Sequence, residues 1–343
     1  MRQSMRFILI IRLRRKSLPE RAGMPTIYSI KHLTSFRYTP AVGETLMEVR
    51  LQPRSDTQQR CIAFSLDVNP RTSVMIYRDF YGNAVHHFDI PGRHETIAVT
   101  TESTVEMLAR RDIETARQSS WEELDDLVSE GDYWEMLLPS QFAHGTEKLE
   151  RLRAELQLER GGEPLGLLKG LTAALYDAFD YVPNATRVDS PIDEALQARS
   201  GVCQDFAHIM IALVRQLKIP CRYVSGYLYH EDQCHDRSPA GASHAWVEAY
   251  LGEAGWVEFD PTNNLIGCER HIRVAVGRDY ADVPPTRGVH KGEAESELTV
   301  RVNVSSVDAP KPEDLAPAMV LRTKRPLTNR NSNLDASQSQ QQQ

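Results

Sequence analysis

Between Ile27 and Met107 short β-branched runs alternate with turn residues: TSFRYTP, LMEVRLQP, CIAFSLDVNP, TSVMIYRDFYGN, AVHHFDIPG and ETIAVTTESTVEM. Several stop at Pro or Gly-Asn, residues that end or turn a strand. Short strands at such regular spacing predict an antiparallel, sandwich-like β domain over 25–107. The period then changes. SWEELDDLVSEGDYWEMLL and GTEKLERLRAELQL read as charged helices with Ser120 and Thr146 as N-caps, a helical bridge over 108–163. PLGLLKGLTAALYDAFDY, SPIDEALQA and SGVCQDFAHIMIALVRQL read as further helices. After Pro220 strands return in CRYVSGYLYHE, HAWVEAYL and GWVEFDP, with the loop DQCHDRSPAGAS between the first two, and ESELTVRVNVSS as one more. The expected α+β core therefore runs over 164–307. Beyond it, 308–343 is dominated by Pro, Ser, Asn and Gln and is expected to be disordered.

Composition excludes some classes. A chain of 343 residues that is 41% hydrophobic has enough apolar material for more than one core. Its net charge of −7, without a clustered basic face, argues against a nucleic-acid partner. The basic stretch MRQSMRFILIIRLRRKSLPERAG has an apolar centre of only Phe7–Ile11, shorter than the roughly 7–15 residues of a signal h-region or the about 20 of a membrane span. Residues 1–24 are therefore expected to be a disordered extension, with Met24 an alternative start, and no membrane partner is expected. The five cysteines, Cys61, Cys203, Cys221, Cys234 and Cys268, are odd in number and form no CxxC pair. Reduced thiols and a cytoplasmic protein are the expectation.

One of these thiols stands at the mouth of an apolar helix. With Ser200 or Gly201 starting the helix, Cys203 falls in the first turn, where free N–H groups and the positive end of the dipole favour a thiolate. A structural cysteine near a helix start would look the same, so position alone does not decide. A nucleophilic thiol needs a base, and the base an orienting acceptor. SHAWVEAYLGEAGWVEFDPT supplies both. Alternation puts His244, Trp246, Glu248 and Tyr250 on one face of a strand, and Trp256, Glu258 and Asp260 on one face of the next. If GEAG turns a hairpin with Glu248 opposite Glu258, His244 lies diagonally across from Asp260, within side-chain reach. That register also faces two like charges.

The order Cys203, His244, Asp260, with GVCQDFAHIMIALVRQLKIPCRYVSGY and WVEFDPT, resembles the core of the transglutaminase-like superfamily. Upstream, YSIKHLTSFRYTPAV, EVRLQPR and RDFYGNAVHHFDI resemble the N-terminal β domain of its bacterial members, often labelled cysteine proteases; together the resemblance covers about 25–305. It implies a papain-like α+β core in which a Cys-bearing helix packs on an antiparallel sheet. It implies Cys203 as nucleophile, His244 as base and then acid, and Asp260 as the acceptor that orients the imidazole. The implied chemistry is acyl transfer from a glutamine carboxamide or peptide in a protein or peptide substrate, through a thioester resolved by an amine or water. A peptidase or amidase that only hydrolyses is the alternative, and a non-catalytic peptide-binding scaffold a further one. In several relatives an aromatic residue upstream of the Cys helps the oxyanion site; Tyr181 is the candidate for that role here, with plain core packing the favoured reading. Gln204 and Trp246 are candidates for substrate contact, Trp246 and Trp256 being as readily core residues. Asp205 suits the helix N-terminus, and His208 reads as a packed core histidine. His230, Cys234 and His235 match no usual zinc spacing, and no EF-hand-like loop is present, so no metal or cofactor is expected. RDYADVPPTRGVH resembles the segment closing the family core and is expected to run extended along the active-site edge.

Overall fold

The strands form where the β-branched runs lie. They are β1 (Ile27–Val42), β2 (Thr45–Val49), β3 (Gln59–Asn69), β4 (Val74–Arg78), β5 (Ala84–Ile90) and β6 (His94–Met107). The computed structural model describes residues 26–307 except 110–112, 114–116, 118, 132, 232, 233 and 268. The expectations for 1–24, for 308–343 and for Cys268 lie outside the described residues. Helices α1 (Trp121–Ser129) and α2 (Glu147–Glu155) follow. Ser120 caps α1 by accepting from the Glu123 N–H, and Glu123 returns a carboxylate oxygen to the Ser120 N–H. Thr146 caps α2 through the Leu149 N–H.

The rest is α3 (Pro164–Ala178), β7 (Asp180–Tyr181), α4 (Ile192–Ala198), β8 (Ser200–Gly201) and α5 (Cys203–Gln216). Then come β9 (Cys221–Leu228), β10 (His244–Tyr250), β11 (Trp256–Asp260), β12 (Leu265–Ile266), β13 (His271–Gly277), β14 (Thr286–His290) and β15 (Glu295–Val307). The core sheet has the order β12-β11-β10-β9-β13 and is antiparallel throughout. Every residue of α5 from Gln204 to Arg215 is buried, the mark of a helix sunk in a core rather than lying on a surface. It packs against β9 and β10, with α2, α3 and α4 around it. Among the described residues no helix is long and apolar enough to cross a membrane.

Two four-stranded sheets, β15-β1-β6-β3 and β14-β2-β5-β4, share an apolar cluster that includes Tyr38, Val49, Phe88, Ile97 and Val99. They form the expected sandwich, but its strands are not all N-terminal. β15 pairs with β1 along its length and β14 pairs with β2. The sequence reading placed both in the 164–307 core, and placed 278–290 at the active-site edge. Local periodicity carries no signal of which distant strand will be the neighbour, so the return of the chain to the sandwich was invisible to it. The described residues form one compact unit.

The edge strand β13 is closed by side chains. Gln59, fully buried, donates its amide N–H to Arg273 O and accepts the Arg273 N–H, both at 2.8 Å. Asn83, also fully buried, does the same for Val276 at 2.8 and 2.9 Å. Two carboxamides from the sandwich thus satisfy ladder groups that an edge would leave open.

Candidate active site

Cys203 is the first residue of α5, with Val202 as N-cap, so the helix begins later than a start at Ser200 or Gly201 would put it. Ser200 and Gly201 instead form a parallel bridge with Asp180 and Tyr181. Val202 has no capping oxygen, and the Asp205 carboxylate takes the Val202 N–H at 2.8 Å and the Thr186 hydroxyl. This explains the small residue at 201: a Cβ there would stand 2.7 Å from Asp205 Oδ2. The cap therefore fixes both the helix start and the glycine before it, and leaves the half-buried thiol at the helix mouth.

The hairpin register is the one the alternation suggested. Glu248 faces Glu258, and His244 at the start of β10 reaches diagonally to Asp260, Nε2 to Oδ2 at 2.8 Å. The like charges are reconciled by arginines the sequence reading did not enlist. Arg273 Nη1 lies 3.1 Å from Glu248 and 3.6 Å from Glu258, and Arg222 Nε donates to Glu248 at 2.7 Å. Burial alone would raise the Glu248 carboxyl; Arg222 and Arg273 outweigh it and hold it at about 2.

Asp260 is fully buried and its oxygens are crowded with donors. Oδ2 also takes His271 Nε2 at 3.1 Å and Asn263 Nδ2 at 2.8 Å, while Oδ1 accepts the Thr262 and Asn263 backbone N–H groups. Burial works against its charge, yet His244 and His271 hold the carboxyl well below its usual range. An ionised carboxylate only accepts, so the proton of the His244 contact sits on Nε2. Nδ1 is then the nitrogen left for Cys203, whose side chain interacts with the His244 ring. Burial opposes charge on His244 as well; the Asp260 carboxylate, and after it Cys203, outweigh it and push the imidazole up to about 10. The structure thus brings Cys203, His244 and Asp260 together.

The other candidates fall in distinct places. Tyr181 is bridged to Gly201, one residue short of Val202, and burial and nearby Cys203 push its phenol above the usual range, so it remains a donor. Gln204 commits its amide N–H to Val188 O at 2.9 Å, which ties down the 182–190 loop. Trp246 is fully buried and stacks on His244 and His271 at ring separations of 6.0 and 4.6 Å, so it packs behind the imidazoles and walls no open groove. Its indole and the Ile272 carbonyl fill the space a side chain at Gly226 would need. His208 stacks on Phe142, accepts the Tyr280 N–H and is drawn down to about 3, chiefly by burial. In the 230s loop His230 pairs with Asp236, itself held by Arg270, while Cys234 and His235 are exposed. Asn263 anchors this loop: its Oδ1 accepts the Arg237 and Ser238 N–H groups and its amide N–H reaches Ser238 Oγ.

The sequence reading missed His271 and Asn263. Asn263 lies three residues past Asp260 in an Asp-Pro-Thr-Asn turn and was within reach of turn chemistry. His271 enters from β13, which pairs with β9 and not with the hairpin. His244, Asp260 and His271 each offer a ligand atom within 4.8 Å of the others, a two-histidine, one-carboxylate set. Direct hydrogen bonds already join the three, so a cation there would compete with the contacts that orient His244.

A sandwich joined to a Cys-bearing helix on an antiparallel sheet defines a transglutaminase-like cysteine fold. Family models agree: residues 28–106 match the bacterial transglutaminase-like N-terminal region and 157–261 the transglutaminase-like superfamily. An uncharacterized protein of Mycobacterium leprae is 32% identical over 277 residues, spanning 80% of this chain and 97% of the relative. A Pseudomonas aeruginosa protein-glutamine gamma-glutamyltransferase is 32% identical over 157 residues, 41% of this chain and 23% of that protein. A solved structure from Cytophaga hutchinsonii, described provisionally as a cysteine protease, superposes with a TM-score of 0.63 at 21% identity, over 84% of this chain and 93% of that one. The chain belongs to the bacterial transglutaminase-like family, whose superfamily members are generally cysteine enzymes.

Proposed function

We propose that the protein is a thiol acyltransferase that acts on carboxamides of a protein or peptide through Cys203, His244 and Asp260. The observation that carries this reading is the convergence of a helix-mouth thiol and an imidazole whose far nitrogen is held 2.8 Å from a buried carboxylate. The Cys203 sulfur gives its S–H proton to His244 and attacks the carbonyl carbon, forming a C–S bond and an oxyanion. The Cys203 backbone N–H and the Tyr181 hydroxyl are the proposed oxyanion donors, since first-turn N–H groups have no intrahelical acceptor. Collapse breaks the C–N bond, and His244 gives its proton to the departing ammonia or amine. A second amine or water then attacks the thioester, gives its proton to His244 and releases the sulfur. The likeness to the Pseudomonas glutamyltransferase supports an amine as acceptor.

Exposed Cys234 provides an internal reference for the test. Iodoacetamide labelling followed by peptide mass spectrometry is expected to modify Cys203 faster than Cys234 at neutral pH, although Cys203 is less exposed. His244→Ala is expected to reverse that order, and Cys203→Ala to abolish turnover of glutamine peptides with amines. Equal labelling of the two thiols, unchanged by His244→Ala, would remove the proposed pair.

A further inference from the structure

Asp260 accepts two imidazoles on one oxygen, and one of them has no part in the chemistry described so far. We propose that His271 is a positioning residue: its Nε2–H holds the Asp260 carboxylate in place and ionised while His244 changes charge. The proposal rests on the reading of Cys203, His244 and Asp260 given above.

The geometry distinguishes His271 from an ordinary core histidine. Two other buried imidazoles hydrogen-bond neutral groups: His32 meets the Tyr227 and Thr34 hydroxyls, and His208 meets a backbone N–H beside an aromatic ring. His271, fully buried, aims Nε2 at a carboxylate 3.1 Å away. Its other nitrogen lies 3.8 Å from Glu258. Its ring runs nearly parallel to that of His244, at 10° and 6.0 Å, with the Trp246 indole against both. The groups around it are thus Glu258 and Asp260 from β11 and His244 and Trp246 from β10, with Arg273 on its own strand reaching Glu258.

When His244 passes its proton to the leaving amine, Asp260 loses its cationic neighbour without gaining access to water. A buried carboxylate left uncompensated would draw a proton to itself, away from the imidazole that must carry it. His271 lies off the path of that proton. Its N–H stays on Asp260 through both half-reactions, together with Asn263 and two backbone N–H groups. The proton is thereby kept on the ring that faces the sulfur.

The test separates donation from packing. In the full-length chain, His271→Gln and His271→Leu both fill the space beside Trp246, but only glutamine offers an N–H to Asp260. Cys203 alkylation, referenced to Cys234 in the same molecule, is expected to slow about tenfold in the leucine variant, the scale of losing one hydrogen bond to a charged group. The glutamine variant is expected to recover most of the rate, with near-UV circular dichroism showing both folded. Equal slowing in both variants would mean that the ring only packs, and no slowing in either would mean that it does nothing for the site; each overturns the proposal. His244→Ala, run alongside, tells the two readings apart. If it slows alkylation while the His271 variants do not separate, the acyl-transfer reading stands without this one; if it has no effect, both fall.

Discussion

On the side of the core sheet that meets α5, β10 presents Ala245, Val247 and Ala249, and β11 presents Val257 and Phe259, all buried. On the other side the same strands present His244, Trp246, Glu248, Glu258 and Asp260, which are as thoroughly buried. Neighbouring strands add Arg222, His271 and Arg273 to that second face, and Asp56 and Gln58 of the sandwich reach Arg273 at 3.0 and 2.5 Å. The apolar face holds by area removed from water and by fit. The charged face holds only while every member keeps its partner, because desolvated charges gain little beyond their pairing. The same two strands therefore carry an insensitive half and a conditional half, and the imidazole and carboxylate of the candidate site, His244 and Asp260, lie on the conditional one.

The contrast can be broken most forcefully at Glu248. Its replacement by alanine leaves Arg222 and Arg273 without their shared carboxylate, and urea unfolding is expected to show a loss of about 3–5 kcal/mol. On the opposite face, Val247→Ala removes packing alone and is expected to cost about 2 kcal/mol by the same measurement. The smallest effect concerns shape rather than size. The Glu248 carboxyl is depressed in the fold, from 4.5 to about 2, so its contribution is complete above pH 4.5 and is lost as the pH falls towards about 2. Stability profiles measured across that window are expected to fall in parallel for wild type and Val247→Ala, and less steeply for Glu248→Gln. If Val247→Ala changed the slope, the two faces would not be the independent halves described here.

What could be read in advance divides along the same line. Alternation and turn residues place β10 and β11, and a hairpin with Glu248 opposite Glu258 leads directly to the His244–Asp260 contact. The objection to that register, two glutamates face to face, is answered by Arg273, which arrives from β13. His271 arrives from the same strand. Neither was legible, because β13 joins the sheet beside β9 and the pairing of distant strands leaves no mark on local periodicity. The caps at Ser120 and Thr146 were legible because a cap is a contact within one turn. The cap of α5 was not, since Val202 offers no oxygen and Asp205 supplies it from inside the helix.

The two carboxamides that close β13 also bear on inheritance. Gln59 and Asn83 do for the core sheet what a sixth strand would do, yet they come from the sandwich and meet a strand read more than 190 residues later. A core cut free of the sandwich would expose an open ladder beside its own candidate site, a template for pairing with any extended chain. The two halves can drift in sequence, but neither can be traded for an unrelated module without closing that edge again.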